Sequence, residues 1–92
     1  MRWSSRGVAL TDLHADALAL LSANLHRLMD EQRVSARELC RKSGVMRPVV
    51  YRVLQFPNRG PICNPSLQTV SALAHALGVS VGSLLSPHTS LP

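Results

Sequence analysis

Seven basic side chains fall within residues 33–59: Arg33, Arg37, Arg41, Lys42, Arg47, Arg52 and Arg59, against the single acid Glu38, a local net charge of +6. The rest of the 92-residue chain carries Arg2, Arg6 and Arg27 against Asp12, Asp16, Asp30 and Glu31, so the whole-chain charge of +5 comes from this one segment. Clustered cations hold phosphates, and arginine adds a planar fork that can also grip the O6 and N7 edge of a guanine. Nothing comparable is laid out for bond making. The five acids show no paired-carboxylate spacing, Ser and His occur without the ordering of a nucleophile and its base, and no Gly-rich loop leads into a helix. An enzyme is therefore not expected. His14, His26, His75 and His88, with Cys40 and Cys63, make no CxxC or HxxxH spacing. Neither a metal nor another cofactor is expected, and the two cysteines read as free thiols.

Most of the cations sit on or beside SARELCRKSGVMRPVVYRVL, residues 35–54. Ser35 is a good N-cap, because its hydroxyl can accept from an amide of the first turn, and Glu38 three residues on completes a capping box. Leu39 and Cys40 are the apolar positions of this first short helix. Gly44 stands where a chain leaving a helix needs a left-handed residue. Val45 then turns inward. A second helix runs from Arg47 to Leu54 with Pro48 in its first turn, where a missing N–H is harmless. Val50, Val53 and Leu54 face in and Arg47 and Arg52 face out. Two helices joined by a Gly turn, the second presenting arginines, is the layout of a DNA-reading helix-turn-helix.

The flanking segments must hold this pair in place. Residues 1–10 read as a loose arm. Thr11 or Asp12 caps a long helix over about 12–32, with a buried stripe of Leu13, Ala17, Leu21, Leu25 and Leu28. Leu18 and Leu20 exceed that stripe; they mark either a partner surface or a wider contact with the core. FPNRGPICNP is a loop by its Pro and Gly content. Asn64 or Ser66 caps a fourth helix, Leu67, Val70, Leu73, Ala74 and Leu77 form its inner face, and Gly78 ends it. Ser80 caps a last short helix with Val81, Leu84 and Leu85, and residues 87–92 read as a frayed tail. The expected architecture is all-α: one compact five-helix domain over 11–86, with its helix-turn-helix at helices 2 and 3. Apolar residues make up 46% but aromatics only 3%, so the core must be built from Leu, Val and Ala. No apolar run is long enough to span a bilayer and the N-terminus lacks a signal-peptide core, which points to the cytoplasm and to no membrane partner.

Residues 25–85 resemble the Cro and phage-repressor type of helix-turn-helix domain, the xenobiotic-response-element family. The likeness rests on Leu25 and Leu28, on SARELC followed by SGV, on Val50, and on NPSLQTVSALAHALGVSVGSLL, with its Pro-led helix, ALGVSV turn and closing pair of leucines. The resemblance implies a five-helix lambda-repressor-like fold. Three departures stand out. Ala36 occupies the place where relatives carry a phosphate-binding Gln. The reading helix opens Met46-Arg47-Pro48-Val49 instead of a polar run. Where relatives bury an Arg against a Glu, this chain has Met29 and Leu54; losing one partner alone would strand a charge, whereas an apolar pair is neutral or better. The loop before Pro65 is about four or five residues longer than usual; because this loop runs near the DNA backbone in the family, the resemblance implies that Asn58, Arg59 and Gly60 extend the phosphate contacts, the alternative being a tolerated surface insertion.

The expected function is a sequence-specific regulator of transcription that binds double-stranded DNA as a homodimer, most simply a repressor. Arg47, Pro48, Val49 and Arg52 are the expected base contacts, with Val49 against a thymine methyl. Ser35, Ala36, Arg37, Arg41, Lys42, Tyr51 and Arg59 are the expected phosphate contacts. The competing readings are an antitoxin that binds a toxin and represses its own operon, for which Tyr51 and Leu54 supply a Tyr-x-x-Leu pattern and Leu18 and Leu20 a partner surface, and a protein-interaction adaptor on the same fold.

Overall fold

The computed structural model describes residues 10–56 and 63–87, with the side chains of 10–12 left out of account. Five helices follow in order: α1 (Leu10–Gln32), α2 (Ala36–Ser43), α3 (Arg47–Gln55), α4 (Leu67–Ala76) and α5 (Val81–Leu84). No strand occurs among the described residues. α1 packs against α3 and α5, α2 against α3 and α4, and α4 against α5. The core they enclose is aliphatic, with Leu21, Leu25, Leu39, Val50, Val53, Leu73 and Leu84 fully buried, as the shortage of aromatics requires.

Serine starts three of the helices in the same way. Ser35, Ser66 and Ser80 each hold extended backbone and accept, through Oγ, the amide three residues on, all at 3.1 Å. Of the two caps expected for α4, Ser66 therefore acts, and Pro65 precedes it. The capping box at Ser35 is only half formed, because the Glu38 carboxylate turns to Arg41 instead. α1 begins at Leu10, so Thr11 and Asp12 lie inside its first turn and do not precede it. Gly44 (φ 75°) and Gly78 (φ 71°) take the left-handed conformation in which a side chain is strained. Arg33 (φ 57°) does the same between α1 and α2 without that freedom; behind it the Val34 amide reaches back to Met29 O at 2.8 Å, closing α1.

The buried stripe of α1 differs from expectation. It runs Leu18, Leu21, Leu25 and Leu28, while Ala17 faces solvent and Leu13 and Leu20 are half-buried. Leu18, 2% exposed, belongs to the core and is no partner surface. A leucine gains more from burial than an alanine, so Leu18 and not Ala17 turns to the core. Leu67, expected to face inward, stands exposed at the start of α4, and Leu85 is exposed at the end of α5.

α1 also closes the C-terminal ends of the other long-range partners with polar side chains. Buried Asn24 directs its Nδ2 at the carbonyls of Leu84 and Ser86, both 2.8 Å, and of Ser83, 3.3 Å, at the end of α5. Three acceptors facing one group fix the amide orientation. Buried Ser22 donates to Phe56 O at 2.9 Å and His26 Nε2 donates to Leu54 O at 2.7 Å, at the end of α3. Gln32 Nε2 donates to Leu77 O at 2.8 Å, just past α4. Carbonyls of a last helical turn have no partner within their own helix, and α1 supplies them.

Candidate nucleic-acid interface

α2 and α3 divide cleanly into an inner and an outer side. Leu39, Val50 and Val53 are buried, and Val45, Cys40 and Leu54 pack half-buried against the core. Outside stand Ser35 at the cap of α2, Arg37, Arg41 and Lys42 on α2 and Arg47, Pro48 and Arg52 on α3, all exposed, with Ala36, Val49 and Tyr51 half-buried at the margins. The helix-turn-helix thus brings together every described residue assigned to base or phosphate contact. Arg59, and with it Asn58 and Gly60, lies outside the described residues.

Arg41 is not a free cation. Its guanidinium lies 3.3 Å from Glu38 Oε2 in an exposed i,i+3 pair. Such a pair is worth at most about 1 kcal/mol, so a phosphate can displace the carboxylate, but Arg41 enters that exchange with its charge partly compensated. Arg37, Lys42, Arg47 and Arg52 have no acid within ion-pair distance among the described residues.

The leading turn of α3 is unusual in what it does not offer. Met46 is its N-cap and makes no side-chain cap hydrogen bond. Pro48 has no N–H, and the Val49 and Val50 amides both donate to Met46 O, at 3.0 and 3.2 Å. Apart from the Arg47 side chain, little hydrogen-bonding capacity is left at that end of the helix. Further along, the i, i+4, i+7 row of Pro48, Arg52 and Gln55 lies opposite the buried Val50 and Val53, and Gln55 is exposed. Sequence reading missed Gln55, although this row was available to find it; an amide there can pair with the N6 and N7 edge of adenine. It missed Met46 as well, which is 71% exposed.

Beside α3, a hollow of about 170 Å³ is lined by Val49, Arg52, Val53, Cys63, Pro65 and Thr69, among others. Cys63 and Cys40 are both free thiols. Burial pushes the Cys63 thiol up, against smaller opposing effects of its backbone and of Arg52. No cluster of His, Cys, Asp and Glu suited to a metal occurs among the described residues, and none of their helices is long and apolar enough to cross a membrane.

The paired helices, the Gly turn and the basic outer side define a helix-turn-helix DNA-binding domain. The chain belongs to the Cro/C1-type helix-turn-helix DNA-binding domain family, whose model matches residues 24–89. It is also similar to an uncharacterized HTH-type transcriptional regulator of Coxiella burnetii (strain RSA 493 / Nine Mile phase I), 32% identical over 68 residues. That match covers 74% of this chain but 30% of the relative, so the chain spans less than a third of that regulator's length. No solved structure matches the chain at a significant level.

Proposed function

We propose that the chain is a sequence-specific repressor that binds DNA as a homodimer, with α3 in the major groove. The observation that carries this reading is the segregation of charge. The exposed, unpaired cations Arg37, Lys42, Arg47 and Arg52 all stand on the two helices of the helix-turn-helix, on the side away from the core. Arg47 and Arg52 take base edges, with Pro48 and Val49 beside them. Ser35, Ala36, Arg37, Arg41, Lys42 and Tyr51 lie along the phosphates and fix register, and Arg59 adds to them from the loop. One copy covers a short half-site, so two copies on an inverted repeat supply useful affinity. Selection from a random duplex pool by the full chain tests this. Enrichment of an inverted repeat, with half-sites about one helical turn (~34 Å) apart or a multiple of it, is the expected result. Failure to enrich any sequence counts against specific reading.

A second reading keeps a protein partner in addition to DNA, as in an antitoxin that holds its toxin. It is favoured by the exposed Leu67 (71%) and Leu85 (38%), which flank a hollow of about 240 Å³ between α1, α4 and α5. Co-purification with the product of an adjacent reading frame, lost in Leu67→Ser, supports that reading; an adjacent frame whose product never associates removes it.

A further inference from the structure

Three large hydrophobic side chains stand exposed among the described residues, and Met46 is the one on the basic side of the molecule. It sits between the two helices of the helix-turn-helix, 71% exposed. No structural task accounts for it. It is not packed against the core, and as the N-cap of α3 it makes no capping hydrogen bond. The residues that follow add to the apolar character: Pro48 is exposed, Val49 is half-buried, and the amides of Val49 and Val50 are already spent on Met46 O. Around the Arg47 guanidinium, the leading end of α3 therefore presents carbon and sulfur.

The floor of the major groove carries one apolar group, the 5-methyl of thymine. Methionine suits it, being unbranched, adaptable and polarizable, so that it can settle on a methyl without a preformed pocket. We propose that Met46, supported by Val49, is a specificity determinant that reads a thymine 5-methyl group in each half-site, next to the base pair gripped by Arg47. This inference rests on α3 lying in the major groove. It adds to that reading a residue and a functional group.

Deoxyuridine tests it, because it removes the methyl and leaves every hydrogen-bonding edge unchanged. The probe is the duplex selected by the full chain from a random pool, with each thymine replaced in turn. Deoxyuridine at one thymine of a single half-site is expected to weaken binding about fourfold, the equivalent of one buried methyl, and at the matching thymines of both half-sites about 16-fold. Met46→Ala, which removes the contact from both copies, should bind the thymine duplex about 16-fold more weakly than wild type and then show no further loss with deoxyuridine. Met46→Leu should keep the sensitivity. Because Met46 is exposed, all three proteins should melt together and bind an unrelated duplex equally. Indifference to deoxyuridine at every position, or a Met46→Ala protein that retains the full methyl effect, overturns the assignment while leaving DNA reading intact. Absence of binding to any duplex at low salt overturns both.

Discussion

Arg37 and Arg47 carry the same exposed, unpaired guanidinium but stand on different helices, and that difference should separate their effects. Arg37 lies in the first turn of α2, the helix proposed to lie along the phosphates, whereas Arg47 is the first residue of α3. Arg47→Ala is expected to cost about 1–3 kcal/mol on the selected site and to relax base preference at one position per half-site. Arg37→Ala should weaken specific and unrelated duplexes about equally. Equal, sequence-independent losses for both, measured by titration on the two duplexes, would show that α3 does not read bases. A different residue carries the stability argument. Asn24 donates to three carbonyls at the end of α5, so Asn24→Ala leaves buried acceptors bare, at about 1–3 kcal/mol. Asn24→Asp sets carboxylate oxygens against those carbonyls and should cost more, about 2–4 kcal/mol at neutral pH. Urea melts that rank the aspartate above the alanine would remove Asn24 as the clamp of α5. Nothing in ADALALLSANL announces this role, because the acceptors lie about 60 residues away.

At the scale of elements, what local chemistry decides was readable. Ser35, Ser66 and Ser80 act within three residues, and Gly44 and Gly78 act on their own dihedrals, so helix ends followed from short strings. What depends on distant packing was not. Periodicity alone allowed Ala17 or Leu18 on the inner side of α1, and the packed structure buries Leu18 and leaves Ala17 exposed. Leu67 failed for the related reason that the first residue of a helix overhangs its neighbours. Between these extremes is the pairing of Met29 with Leu54. Both are half-buried against the core, on helices that pack together, and His26 ties the Leu54 carbonyl to α1. We expect the two side chains to meet. Leu54→Glu would then place a carboxylate in a half-apolar site at a cost of about 1–3 kcal/mol, below the cost of a fully buried charge. Met29→Arg in the same protein should recover part of it. Thermal melts of the four proteins in a double-mutant cycle decide the matter, and strictly additive effects would place the residues apart.

For the whole molecule, the distribution of charge matters more than its total. The chain has a sequence pI of about 10.7, yet outside residues 33–59 acids slightly outnumber bases. One side of the domain is therefore strongly positive and the remainder near neutral, which orients the protein before contact and favours approach by α2 and α3. Each phosphate neutralised releases condensed counterions, so the salt dependence of binding counts the cations that actually engage. Exposed on α2 and α3 are Arg37, Lys42, Arg47 and Arg52, with Arg41 held by Glu38, and Arg33 stands exposed in the link before α2. If Arg47 and Arg52 turn to base edges and Arg59 adds one contact, about 3–5 phosphates remain per copy. A homodimer should then show a log–log slope of roughly −5 to −9 between binding constant and salt concentration. A single copy should show about half that, so one titration series reports both the electrostatic footprint and the number of chains on the site. Lys42→Ala should make the dimer slope shallower by roughly 2, one contact in each copy. A slope near zero would mean that the positive side serves something other than a nucleic-acid backbone. A slope of half the dimer value on the intact inverted repeat would mean that one copy suffices.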